Sequence, residues 1–155
     1  MRVQDKILPL TVIILLLVLF PGCGKKESQT PWDVQEIWNA VSAEEDFPEM
    51  IPVPENRLGY MFGIEQKDYT QEVIAVSADS LRADEIWLIE AVDEAAAQRL
   101  EELAKIRLAQ KEEETKSYAP EQYRIVQEAK LQLNGLRLIM VVSPSSEVIL
   151  QKLPD

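Results

Sequence analysis

The chain has 155 residues, 28% of them charged, and a formal net charge of −11. With no histidine and a single cysteine, it lacks Ser-His-Asp and Cys-His nucleophilic sets, the commonest general base, and the cysteine pairs of structural zinc sites. Its acidity repels phosphate backbones, so nucleic acid is not an expected partner.

Arg2 and Lys6 make a basic start, and Ile7 to Phe20 is almost wholly aliphatic. As a helix that run would reach about 21 Å, short of a hydrocarbon core about 30 Å thick. Phe20-Pro21-Gly22 then leads into Cys23. This is the layout of a secretory signal over residues 1–22 whose cleavage exposes a cysteine for lipidation. The stretch resembles the lipobox of bacterial lipoproteins. Gly22 supplies the small residue before the modified cysteine, while Phe20 and Pro21 depart from the usual leucine and small or β-branched residue. Two or more acyl chains such as palmitate on Cys23 would give durable membrane attachment, and Lys25 and Lys26 would meet anionic headgroups. The alternatives are an uncleaved anchor or secretion with a spare thiol. The leader carries Arg2, Lys6 and Asp5, so its loss leaves the remainder one charge more negative.

Residues 23–30 read as a lipidated tether and 31–155 as a single domain. Thr30-Pro31-Trp32-Asp33 predicts a helix start, with Thr30 as N-cap and Pro31 at the first helical position. Val34, Ile37, Trp38 and Val41 follow as an apolar stripe. Phe47 to Arg57, with Pro48, Pro52 and Pro54, predicts an extended connector. Alternation of Tyr60, Phe62 and Ile64 suggests a short strand. Glu72–Ala78 and Glu85–Val92 are rich in β-branched and aromatic residues and predict two strands paired antiparallel across a turn at 79–84. Asp93 caps a helix to about Ser117, and Pro120 opens another through about Glu128. Asn134-Gly135 predicts a two-residue hairpin turn, placing Leu133 opposite Leu136 and Leu131 opposite Leu138. Ser143-Pro144 caps a last helix presenting Val148, Ile149 and Leu153. Segregated hairpins of about four strands, with helices packed on them, predict a two-layer α+β fold with an antiparallel sheet.

Asp84-Glu85-Ile86 opening a strand, the long charged helix, Tyr118-Ala119-Pro120-Glu121-Gln122-Tyr123 and the Asn134-Gly135 hairpin together resemble a family of bacterial lipoproteins. The family is known as domain of unknown function 4358, and the resemblance covers residues 59–153. It implies a small, membrane-tethered extracytoplasmic domain and carries over no functional residues.

No glycine-rich phosphate loop or metal motif occurs, so no cofactor and no metal ion is expected. Ser77 to Glu85 lacks the oxygen spacing of a calcium loop and reads as a solvated turn; Lys111 to Glu114 reads as a solvated helix face. Glu101 with Lys105 and Glu112 with Lys116 are at i, i+4 spacing. On the long helix, Ala96, Leu100 and Leu103 give way to Arg107, Gln110 and Glu114. A helix of about 36 Å over a strand of about 27 Å suggests a solvated overhang. The sharper expectation is a polar pocket or contact surface formed by Arg107, Glu114, Tyr118 and Tyr123, since Arg offers a planar donor fork and Tyr suits interfaces. Trp38 and Trp87 read as core, and Trp32 as core or a headgroup-level ring. The expected role is a non-enzymatic binding module of the cell envelope with an envelope protein partner. A carboxylate-dependent envelope hydrolase and a small-ligand-binding lipoprotein are the alternatives.

Overall fold

A computed structural model describes residues 32–45, 47–117 and 119–153. The secretory signal, Cys23, Thr30 and Pro31 therefore lie outside the described residues. The helix expected from the 30–33 stretch begins only at Val34, after non-helical Trp32 and Asp33. Helix α1 spans Val34–Ser42. Its N-cap is Asp33, whose carboxylate accepts hydrogen bonds from the backbone N–H groups of Gln35 and Glu36. These would otherwise be orphan donors of the first turn. Gln71 ties this helix start to the sheet, donating to the Trp32 carbonyl and accepting from the Val34 N–H.

The proline-rich stretch holds a three-residue strand, β1 (Met50–Pro52), at the sheet edge, where a proline removes no ladder bond from a central strand. The segment expected to alternate as a strand is instead helix α2 (Glu55–Phe62). Leu58 and Phe62, four residues apart, are its buried face, and Gly63 ends it at φ 73°, a left-handed cap open to glycine. Tyr60 points outward at 95% exposure, which a half-buried strand would not allow.

After a single turn of 3₁₀ helix at Gln66–Asp68, β2 (Tyr69–Ser77) and β3 (Glu85–Ala91) pair antiparallel as expected. Helix α3 (Glu94–Lys116) is capped by Asp93, and α4 (Pro120–Gln127) follows. Strands β4 (Lys130–Asn134) and β5 (Arg137–Val142) form the second hairpin, and α5 (Ser146–Gln151) closes the described chain. This last helix begins beyond Ser143-Pro144. The Ser143 hydroxyl oxygen accepts the Ser145 N–H, and Ile149 is buried while Val148 is half exposed.

The second hairpin differs in register from the expectation. Leu133 lies opposite Leu138 and Leu131 opposite Met140, so Gly135 and Leu136 form the loop. Gly135 has φ 62°. Leu136 is held out of the ladder because it packs on the core and its carbonyl accepts the Ala91 N–H at 2.8 Å.

The sheet is wholly antiparallel with order β1-β2-β3-β5-β4. The α+β class is therefore as expected, with a fifth strand and helices on both faces of the sheet. Period-two alternation in the two central strands makes both layers possible. Trp87, Ile89, Leu138, Met140 and Val142 join Leu58, Phe62, Leu100, Ala104 and Val126 in one core. Ile86, Leu88, Ile139 and Val141 join Trp32, Ile37, Trp38, Val41 and Ile149 in the other. All three tryptophans are core, and Trp32 is only 5% exposed. No helix among the described residues is long and apolar enough to cross a membrane.

Candidate functional site

Strand alternation puts Glu85, the first residue of β3, on the same face as Trp87 and Ile89, beneath α3. The buried stripe of α3 runs Ala97, Leu100, Ala104, Lys111 and Thr115. Arg107 and Lys111 therefore come down over Glu85, while Gln110 and Glu114 on the polar half of α3 stay exposed as expected. Glu85 has no solvent exposure. Its carboxylate accepts from Arg107 through Nε at 3.1 Å and Nη2 at 2.8 Å. It also accepts from the Trp87 ring N–H at 2.8 Å and pairs with Lys111 Nζ at 2.9 Å. Lys111 Nζ donates in addition to the Ala83 carbonyl at 2.9 Å.

Four donors from three side chains hold one carboxylate, as a buried charge requires. The Arg107 guanidinium stacks over the Phe62 ring at 5.5 Å from its centroid, and Phe62 meets Trp87 edge-on. Burial pulls Arg107 towards neutrality. The hydrogen bonds and charge of Glu85 outweigh that pull, so the group stays above its ordinary pKa. The KEEE run is thus not one solvated face, because Lys111 is buried. Nor is the end of the 77–85 stretch a solvated turn: Asp84 and Glu85 are both buried.

A cleft of about 410 Å³ adjoins this network, lined by Ser80, Arg82, Lys111, Glu114, Thr115 and Ala119, with Leu81 and Ala83. Arg82 Nε donates to Asp84 at 2.8 Å, and that hydrogen bond and charge raise the Arg82 pKa. Gln122 accepts the Ala83 N–H at 2.8 Å, which fastens α4 to the turn before β3. Of the four residues singled out as a contact surface, Arg107 and Glu114 come together at 3.9 Å. Tyr123 lies apart, donating to Glu112 at 3.2 Å and accepting from Gln127. Tyr118 lies outside the described residues. Lys105 pairs with Glu101 as spaced, but Lys116 pairs with Glu113 rather than Glu112.

Glu85, Lys111 and Gln122 were missed as site residues. The available signal was a charged residue opening an apolar strand in phase with Trp87 and Ile89, a position that demands a buried cation.

A second polar group gathers at the start of α2. Glu55 accepts from Gln66 and from the Tyr69 hydroxyl. Burial, then that bond, raises the Tyr69 phenol above its ordinary range. Burial and the nearby Glu55 charge likewise push the Glu72 carboxyl up. Glu72 does not line the cleft that holds Glu55 and Tyr69. Among the described residues no group of three or more His, Cys, Asp and Glu converges to hold a metal ion.

Residues 43–143 match the family described as Domain of unknown function (DUF4358). The chain belongs to this family. No curated protein and no solved structure matches it. The DUF4358 region spans β1 to β5 and ends at Ser143, leaving α1 and α5 as flanking helices on one face of the sheet. Ala83, the residue before Asp84-Glu85-Ile86, is bonded by Gln122 of the Ala119 to Tyr123 segment, and Ala83 and Ala119 line the cleft.

Proposed function

We propose that this DUF4358 chain is a lipid-anchored extracytoplasmic module that binds a cell-envelope component through the cleft between the 80–83 turn, α3 and α4. The observation that carries the binding site is an open cleft bordered by Lys111 of the buried Glu85–Arg107–Lys111 network and by Ala119 of one resemblance stretch. A buried ionic network of this kind contributes little net stability over an apolar core of the same volume. Its presence beside an open cleft therefore favours a role in positioning charge at a surface. The leader and Cys23 support attachment at the outer leaflet, and the short 23–30 tether keeps the domain near the headgroups.

The hydrolase reading would draw on Glu55 and Glu72 near Tyr69. Two carboxylates must converge on one substrate for that chemistry, and Glu72 is absent from the lining of the neighbouring cleft. Binding is the better fit. A photo-crosslinking residue at exposed Ser80 tests it in the native membrane. The same envelope component should be captured reproducibly from Ser80 and not from Val148 on the opposite face. Equal capture from both positions, or from neither, contradicts the assignment.

A further inference from the structure

We propose that the cleft beside Lys111 binds a small organic carboxylate, held by the positive charge that Glu85 leaves uncompensated. This rests on the binding-module reading and names the chemistry of its ligand. Glu85 is the single carboxylate within the buried network, and it faces two cations, Arg107 and Lys111. The group therefore carries one positive charge in excess, inside a strongly acidic chain. Charges withdrawn from water are costly unless balanced.

Two nearby carboxylates compete for the role of counter-ion. Asp84 is engaged by Arg82. Glu114 stands 3.9 Å from Arg107 Nη1 with 57% of its side chain in solvent, and contacts of that kind are weak. Lys111 has three N–H donors. Glu85 and the Ala83 carbonyl engage two of them, and the side chain borders the cleft. Ser80, Leu81 and Thr115, whose hydroxyl donates to the Lys111 carbonyl, complete the walls. The volume of about 410 Å³ lies in the range of small-molecule sites. A single excess charge with Glu114 beside it suits a monoanion; a phosphate dianion would be repelled at the rim.

The test is titration of the purified full-length chain in detergent with sodium acetate, against sodium chloride at matched ionic strength, followed by amide NMR shifts of Ala83 and Thr115. Acetate should give saturable shifts that chloride does not. Substituting Lys111 would strip buried Glu85 of a partner, so the informative variant is Glu114→Gln at an exposed position. Removing the competing carboxylate should tighten acetate binding about threefold to tenfold. Four results overturn the proposal: no saturable shift, an equal response to chloride, tighter binding of inorganic phosphate, or unchanged or weaker acetate binding in Glu114→Gln. Capture from Ser80 is independent of these outcomes, so the module reading and the carboxylate assignment fail separately.

Discussion

Glu85 is the residue on which the interior charge arrangement turns. Removing it strands Arg107 and Lys111 in an apolar layer with no carboxylate between them. Glu85→Ala should therefore lower unfolding free energy by about 3–5 kcal/mol. Arg107→Ala leaves Glu85 still paired with Lys111 and Trp87, so its loss should be smaller, about 2 kcal/mol. Urea denaturation of both variants checks the order, and an Arg107→Ala loss equal to or larger than that of Glu85→Ala contradicts it. Arg107 was legible from the sequence as a polar interruption of an apolar helix face. Its partner was not, because Glu85 is remote in sequence and its burial depends on which face of β3 the long helix covers. Lys111 was lost for a related reason: in a KEEE run the charge pattern looks solvated, and only the crossing of α3 over β3 singles out one of the four.

At the scale of elements, two glycines in left-handed conformation separate backbone strain from packing. A Cβ at Gly135 would meet nothing within 4 Å, whereas at Gly63 it would lie 3.3 Å from Leu103 Cδ2. Gly135→Ala should thus cost about 1 kcal/mol from backbone strain alone. Gly63→Ala should cost about 2 kcal/mol, since α3 must also yield. Thermal unfolding of the two variants decides this, and equal losses would deny the α2–α3 contact. Elements with strong local signals were readable: β2, β3, the capped α3 and the proline-led α4 all lie close to expectation. Where local signals conflicted, tertiary contacts decided. The Tyr60-Phe62-Ile64 alternation gave way to a helix, which buries Leu58 and Phe62 while turning Tyr60 out to solvent, as no strand face could. The hairpin slipped from its expected register because Leu136 finds core contact and a carbonyl partner in Ala91.

For the whole molecule, two apolar layers enclose an antiparallel sheet, and the conspicuous charge chemistry gathers at one end of it, under α3. Helix α1, the first described element, packs on the face opposite the cleft. That placement would leave the cleft open to the envelope if, as proposed, a lipidated Cys23 holds the domain at the membrane. It has meaning only if the chain is held there. Mass spectrometry of the N-terminus, on protein purified from its native host, is the direct measurement, with Cys23→Ala as control. The expected result is a mature chain beginning at an acylated Cys23, with the Cys23→Ala form unacylated. A wild-type chain intact from Met1 and bearing no fatty acid would contradict the proposed membrane attachment.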